Sequence, residues 1–430
     1  MAEQDRLEAF IQGDRFTELL PRLYGDGFDA QKQASRFMRL LSAHHGTSST
    51  GVNAQTGLFS TAGRSELAGN HTDHNLGKVI AATINLDTIA VATPVSEPVA
   101  ILVSEGFPPV TVDLRDTSFR KEEKGTTDAL VRGIAAGFLE RGLKIGGFVA
   151  NTSTSVLKGS GLSSSAAIEV LVATLFNNLY NRDILEPIDL AILGKFAENN
   201  YFGKPSGLMD QIACGQGGVV GIDFAHPEHP SITPISCNFR ELGYDLLVVD
   251  TGGNHADLTP DYAAIPQEMR SVAACFDRDV LRDVPFGLFM DSLSAVRQHV
   301  QNDRAILRAY HYLSENERVD KMLSALQNRD MGTYLGLVNE SGDSSFKFLQ
   351  NLYSTSVAKE QGLPVALAMT ERFLEGSGAC RVHGGGFAGT IQVYTPVERT
   401  KDYIDYMEGV FGECSVTVLA IRNLPTTRLN

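Results

Sequence analysis

Gly63-Arg64-Ser65-Glu66-Leu67-Ala68-Gly69-Asn70-His71-Thr72-Asp73-His74-Asn75-Leu76-Gly77 gathers a fixed cation, carboxylates, two imidazoles, two amides and three glycines into fifteen residues. Short donors and acceptors held this close suit recognition of vicinal hydroxyl groups, and glycine lets backbone approach closely or turn sharply. On its own the stretch also reads as a polar turn between two strands. The pattern around it is strand-like: Leu58 and Phe59 before it, then Val79 to Ala92, Ala100 to Val103 and Val110 to Leu114 after it.

Further out, apolar residues at spacings of three and four predict helix over residues 5 to about 45, split in two at Gly25-Asp26-Gly27. Helices are expected over Asp128–Arg141, Ser163–Tyr180 and Ile188–Asn199, with strand at Gly147–Val149. After Val219 come a strand, a Pro- and His-containing turn (Ala225–Pro230) and a strand at Tyr244–Val249, suggesting a change of domain. Residues 261–350 read as mainly helical, 363–375 as one more helix, and the remainder as strand, helix and strand. Strands and helices in non-alternating runs indicate an α+β class.

At 430 residues, with 43% hydrophobic and 20% charged content, the chain is expected to be soluble, with two domains. The apolar run from Val79 to Ala92 is interrupted by Thr83, Asn85, Asp87 and Thr88, short of the ~20 apolar residues a bilayer requires. The opening Met-Ala-Glu-Gln-Asp-Arg has no apolar segment behind it, which argues against a signal peptide and for a cytoplasmic protein. A net charge of -14 disfavours nucleic-acid and membrane partners, so an anionic nucleotide must be held by local features. Five widely spaced cysteines without a Cys-x-x-Cys pair fit reduced thiols rather than a zinc site.

Three more segments carry chemistry. Lys158-Gly159-Ser160-Gly161-Leu162-Ser163-Ser164-Ser165-Ala166-Ala167 joins a strand to an Ala-rich helix. Such a junction aims unpaired N–H groups and the positive end of a helix at one point, which suits a polyphosphate; it also reads as a plain serine N-cap. Gly207-Leu208-Met209-Asp210-Gln211-Ile212 sets one carboxylate among apolar residues, as a catalytic group, a helix cap or a hydrogen-bonding hub. His383-Gly384-Gly385-Gly386-Phe387-Ala388-Gly389 satisfies Gly-x-Gly-x-x-Gly, yet the strand-like Thr390–Tyr394 follows where a dinucleotide fold needs a helix. Its His-Gly-Gly-Gly run also matches a lipase oxyanion loop, but the chain contains no Gly-x-Ser-x-Gly nucleophile elbow.

Taken together these segments resemble the galactokinases within the GHMP kinases. Residues 63–75 resemble the family's Gly-Arg-x-Asn-Leu-Ile-Gly-Glu-His-Thr-Asp-Tyr-Asn, with Glu66, Asn70 and His74 in place of Asn, Glu and Tyr. The loop to Ala166 resembles Pro-x-x-x-Gly-Leu-Ser-Ser-Ser-Ala, residues 207–211 resemble Gly-x-Met-Asp-Gln, and residues 384–389 resemble Gly-Gly-Gly-Phe-Gly-Gly. Glu198 precedes Asp210 by twelve positions (210 − 198), the family's spacing for its magnesium-binding Glu. Asp250-Thr251-Gly252-Gly253-Asn254-His255 with Asp261-Tyr262 is similar to a segment ending in a sugar-binding Tyr.

The resemblance implies the two-domain α+β GHMP kinase fold. Its N-terminal domain is related to ribosomal protein S5 domain 2 (residues 51–235, holding the sugar and ATP motifs), and its C-terminal domain is ferredoxin-like (236–430), with residues 1–50 as a helical extension. It implies ATP-dependent phosphorylation of the C1 hydroxyl of galactose, giving galactose 1-phosphate and ADP. Asp210 and Arg64 would be catalytic, and Asn70, His71, Thr72, Asp73, Gly207 and Tyr262 would bind sugar. Gly159, Ser160, Gly161, Leu162, Ser163, Ser164 and Ser165 would bind ATP, and Ser165 with Glu198 would hold Mg2+. In the family the Glu at the position of Asn70 contacts the sugar C6 hydroxyl, so the amide implies relaxed C6 selectivity. The alternatives are a kinase of the same superfamily for a related sugar or sugar acid, and a non-catalytic sugar- and ATP-binding regulator.

Overall fold

The computed structural model describes residues 3–47, 53, 55–156, 161–204, 206–253 and 258–430. Seven strands open the larger sheet: β1 (Gly57–Ala68), β2 (Lys78–Val95), β3 (Val99–Ser104), β4 (Val110–Asp113), β5 (Gly147–Thr154), β6 (Val219–Asp223) and β7 (Ser231–Ile235). Four more, β8 (Tyr244–Asp250), β9 (Ala379–Val382), β10 (Thr390–Pro396) and β11 (Val416–Leu419), form a separate antiparallel sheet in the order β11-β8-β10-β9. The last, β12 (Thr427–Arg428), returns to pair with β1 at the edge of the larger sheet.

The larger sheet runs β12-β1-β2-β5-β3-β4, with β6 and β7 branching from β2. β2 serves two partners: Lys78–Ala82 lie opposite β6 and Thr88–Val95 opposite β5. The polar residues that interrupt its apolar run sit at this fork. Thr83 N–H donates to Gly218 O, Asn85 exchanges bonds with Ala420, and Asp87 is buried beneath the N-terminal helices. Backbone groups left unpaired where a sheet divides must find other partners, and these residues bring them.

Helices α1 (Glu3–Ile11), α2 (Asp14–Tyr24) and α3 (Ala30–Thr47) cover one face of this sheet. Alternation along the strands sorts the contacts: Leu58, Ile89 and Val91 pack with Phe16, Leu23, Phe37 and Leu41 of these helices. Their neighbours Phe59, Ala90 and Ala92 face the opposite layer of α4 (Thr127–Glu140), α5 (Ser164–Asn181) and α6 (Pro187–Ala197). The N-terminal segment is three helices rather than the expected two, because Gly13 adopts an extended backbone and starts a new helix. Strand β7 was not expected; its Ser-Ile-Thr-Pro-Ile sequence is a mostly exposed edge, where a proline costs no ladder bond.

The remaining helices are α7 (Met209–Gln216), α8 (Thr259–Ala273), α9 (Phe286–Asp291), α10 (Leu293–Val300), α11 (Asp303–Gln327), α12 (Met331–Ser344), α13 (Gly362–Leu374) and α14 (Thr400–Phe411). In β8, Leu247 and Val249 face α13 and α14 through Ala366, Tyr403 and Met407. Leu246 and Val248 face the other way, into a core shared with α11, α12 and Leu67 and Ile80 of the larger sheet. That shared core seats the two sheets together and brings their loops to one place. No described helix is long and apolar enough to cross a membrane.

Candidate active site

Only the first half of the 63–77 stretch is strand; Asp73–Asn75 form a single 3-10 turn before β2 begins at Lys78. β1 delivers Arg64, 6% exposed, beside the start of α5, where its N–H donates to Leu162 O at 3.1 Å. Its Nε donates to Asp210 Oδ1 (2.9 Å), Nη2 lies 2.7 Å from the same oxygen, and Nη1 donates to the Gly161 carbonyl. Ser163 Oγ donates to Asp210 Oδ2 at 2.5 Å. Ser163 holds a left-handed backbone (φ 60°, ψ 56°), uncommon for a residue with a Cβ, and the helix starts immediately after it. Ser164 and Ser165 form its first turn, with Ser165 exposed, and Leu162 is buried. Gly159 and Ser160 lie outside the described residues, as does Asn254.

Burial alone would raise the Asp210 carboxyl. The charge of Arg64, the Ser163 hydroxyl and the Lys204 ammonium outweigh it and hold Asp210 below the ordinary carboxylate value. The Asp210 side chain is nevertheless 34% exposed, so an ionised carboxylate with open lone pairs stands next to a helix N-terminus.

Glu198 is buried at the end of α6, where a wide turn (Glu198–Phe202) follows. Its oxygens accept from Lys204 Nζ (2.9 Å), Ser206 Oγ (2.6 Å) and Gln211 Nε2 (2.9 Å). Gln211 also donates to the fully buried Glu169, whose carboxyl is pushed up to about 8, first by burial and then by the Glu198 charge. Among the described residues no three His, Cys, Asp or Glu side chains could hold a metal by themselves. One buried carboxylate and an exposed hydroxyl are a donor set that fits magnesium, which takes few protein ligands when phosphate oxygens and water complete its shell.

The second half of the first motif divides. Asp73 points Oδ2 at Gly207: a Cβ there would come within 1.9 Å of it, so glycine is required for the approach. Asn70 and Thr72 turn inward. Asn70 Nδ2 donates to Glu66 Oε1 (3.0 Å) and Gly384 O (2.6 Å), while its Oδ1 accepts from Asn351 Nδ2 (2.9 Å) and Ser345 Oγ (3.3 Å). Both amide protons and both lone pairs are used. Thr72 Oγ1 lies 2.6 Å from Lys78 O and 2.9 Å from Gly69 O, and its single proton, shared between the two carbonyls, locks the turn.

The glycine loop after β9 is stitched to this motif through its carbonyls. Gly384 O accepts from Asn70, Gly385 O from His71 Nε2 (2.9 Å) and Gly386 O from the Tyr262 hydroxyl (2.8 Å). Tyr262 also packs edge-on against Phe387, and a Cβ on Gly385 would strike its ring at 2.6 Å. His383 bridges Ser65 (3.1 Å) and Thr390 (3.0 Å), which accounts for it as a packed histidine.

Arg64, Gly161, Ser163 and Asp210 therefore meet in one cluster, Asp73 meets Gly207, and Tyr262 is held by the third loop. Sequence reasoning missed the support. Arg381 Nη2 donates to Glu66 Oε1 at 2.5 Å, both fully buried, and Ser341 and Glu315 extend that network to Gly69 N–H. A lone arginine in the apolar run Ala379-Cys380-Arg381-Val382 was the available signal, since a buried charge needs a partner. Lys204 and Ser206 were visible only as polar neighbours of the quoted motif, and Gln211 only as a member of it with no role assigned.

The GHMP kinases N terminal domain matches residues 129–218, and the galactokinase galactose-binding signature matches residues 47–94. The galactokinase of Limosilactobacillus reuteri (strain DSM 20016) is 30% identical over 346 residues, covering 77% of this chain and 84% of the relative. The chain belongs to the galactokinase family. A second family member, the galactokinase of Streptomyces coelicolor, is 30% identical over 338 residues, covering 78% of this chain and 83% of its own length. The fold agrees: the structure of Lactococcus lactis galactokinase complexed with galactose superposes with a TM-score of 0.75 at 23% identity, over 90% of this chain and 99% of that one. The galactokinase signature spans both β1 and the turn holding Asp73, so the region it matches is the one that reaches Asp210 and Gly207 here.

Proposed function

We propose that this galactokinase-family chain transfers the γ-phosphoryl group of ATP to the C1 hydroxyl of galactose, with Asp210 facing that hydroxyl. The observation that carries the reading is the Arg64–Asp210–Ser163 cluster at the start of α5: an ionised carboxylate and a fixed cation beside helix N–H groups that the Ser163 side chain does not cap. Phosphoryl transfer asks a protein chiefly for positioning and charge stabilisation. The N–H groups and serines from Gly161 to Ser165, with Gly159 and Ser160 before them, cradle the phosphates. Arg64 offsets charge developing on the transferred group and keeps Asp210 ionised to accept or orient the hydroxyl proton.

Asp73, beside Gly207, accepts from sugar hydroxyls, His71 holds the turn that presents it, and Tyr262 offers an aromatic wall. Asn70 and Thr72 serve the same site from beneath, as turn locks. Ser165 and Glu198 would hold Mg2+, which when bound neutralises phosphate charge; Lys204 would give up part of its bond to Glu198. The saturation of Asn70 supports tolerance at sugar C6, because no group of this side chain is left to read a hydroxyl there. We divide the chain at 1–50, 51–235 and 236–430, following the two sheets, with β12 reaching back across that division. Five unpaired thiols support a cytoplasmic setting.

The test is ADP release with magnesium-ATP across galactose, 6-deoxygalactose, arabinose, N-acetylgalactosamine and galacturonic acid. Turnover of galactose with 6-deoxygalactose close behind is expected. Turnover of another sugar alone moves the substrate and keeps the mechanism; galactose binding without turnover makes the protein a regulator.

A further inference from the structure

The family position that follows the sugar-facing aspartate is His74 in this chain, and nothing in the transfer chemistry uses it. Its ring completes a short relay. His71 Nε2 lies 2.9 Å from Gly385 O, His71 Nδ1 lies 2.9 Å from His74 Nε2, and His74 Nδ1 lies 3.2 Å from Asp73 Oδ1. Proton counting settles each ring in turn. A carbonyl only accepts, so His71 carries its proton on Nε2 and leaves Nδ1 as an acceptor. That acceptor takes the proton of His74 Nε2, which leaves His74 Nδ1 as a lone pair when the ring is neutral. The lone pair then faces Asp73 Oδ1, a second acceptor, across 3.2 Å. Only one further proton, on either partner, turns this contact from repulsion into attraction.

We propose that His74 is a positioning residue of the sugar site: the Asp73–His74 pair takes up one exchangeable proton, and that proton competes with the sugar hydroxyls for Asp73. The inference rests on the assignment of Asp73 to the sugar made above. The His74 backbone N–H also donates to Oδ1 (3.0 Å), so that oxygen is fixed by residue 74 while Oδ2 faces Gly207. With the pair deprotonated, Asp73 presents a full carboxylate to the sugar; with it protonated, the acceptor is weakened.

The surroundings set which way the proton goes. Burial, then the Asp210 charge, push the Asp73 carboxyl above its ordinary value against the pull of His71 and Arg64. Burial and then Arg270 on α8 bring His74 down to about 4, and burial, His74 and His311 on α11 bring His71 down to about 3. The imidazoles therefore stay neutral at physiological pH, and of the two partners it is the Asp73 carboxyl whose surroundings favour taking the proton. Asp73 holds a proton to higher pH than a free carboxylate, so sugar binding weakens as pH falls through that raised value.

The experiment has two arms on the full chain. In the first, galactose KM, ATP KM and kcat are followed from pH 5 to 8 for the native protein, His74→Phe and His74→Gln. The native galactose KM is expected to rise toward pH 5 while the ATP KM stays level. His74→Phe raises galactose KM roughly three- to tenfold at pH 8, the scale of one hydrogen bond, and flattens the acid rise with kcat within about twofold. His74→Gln, whose amide N–H can reach His71 Nδ1, restores KM at pH 8 without restoring the acid rise. A pH-independent native KM, or an unchanged acid rise in His74→Phe, overturns the proposal.

The second arm reads the ring nitrogens by 15N NMR, with His74→Phe as the assignment control. Both rings as neutral Nε2–H tautomers at pH 7 support the relay; a Nδ1–H tautomer or an imidazolium at either position overturns it. If galactose is not turned over, the assignment of function fails while the tautomers still decide the relay.

Discussion

Two carboxylates in this chain keep nearly the same company in different surroundings. Asp87, under the N-terminal helices, accepts from Arg36 Nη1 (2.9 Å), Tyr24 OH (2.8 Å) and Ser60 Oγ (2.7 Å), with Arg422 3.9 Å away. Asp210 accepts from Arg64 (2.9 Å) and Ser163 (2.5 Å). Both are held below the usual carboxylate range in the face of burial, Asp87 by Arg36, then Arg422 and Ser60. The difference is access: the Asp87 side chain is 0% exposed and Asp210 34%. A carboxylate closed on every side joins elements, whereas one left partly open beside a helix N-terminus can meet a substrate. Partner chemistry alone does not distinguish scaffold from site; saturation does.

Exchanging each aspartate for asparagine is the hardest test of that contrast. Asp210→Asn should lower kcat about 10³- to 10⁴-fold, at the strong end of general acid–base and electrostatic losses, and should lower the unfolding midpoint less than Asp87→Asn does, because water reaching the 34%-exposed side chain can solvate the Arg64 it leaves behind. Asp87→Asn should cost about 3–5 kcal/mol in urea unfolding, because it strands the buried Arg36 and Arg422, while the folded fraction keeps its kcat. If both variants lose activity and stability in the same proportion, the distinction fails.

Acid sharpens it next. A carboxylate whose folded pKa is depressed stabilises the native state fully above its unfolded value of about 3.9, and that stability is lost as pH falls through the lower folded value. Native protein should therefore lose stability steeply below about pH 4, and Asp87→Asn should show a shallower acid limb in denaturant titrations at pH 3 to 6. The smallest effect compares the two hydroxyls. Ser163→Ala should slow turnover roughly tenfold with little change in midpoint, and Ser60→Ala should cost about 1–2 kcal/mol of stability with turnover intact. Steady-state rates and urea midpoints of the two variants, measured side by side, check this.

Much of the fold was legible because its signals are local. Spacings of three and four placed α2 and α3, an apolar run placed β2, and alternation placed β10. The break at Gly13 and the short edge strand β7 escaped notice because one glycine and five mixed residues carry too little periodicity to register. The N-terminal helices had no assigned role in the sequence; in the structure they close one face of the larger sheet through Tyr24, Arg36 and His44, which bonds Asn151 and Thr93.

The sequence by itself determined the motifs whose chemistry is contained within a few residues: the serine-rich helix start, the Gly207–Gln211 run with Asp210, the glycine loop and the polar stretch at 63–77. Their spacing is enough, because a helix N-terminus or a tight turn is built by adjacent residues. Only the tertiary structure decided who meets whom. Glu66 finds Arg381, Asn70 finds Asn351, Arg36 finds Asp87, and β12 finds β1 across separations that no periodicity encodes. It also decided that Asn70, which reads as a sugar ligand by position, spends every hydrogen bond inside the protein. The physical reason is that a side chain's residue type sets what it can bond, while its free valence depends on which groups packing brings within about 3 Å.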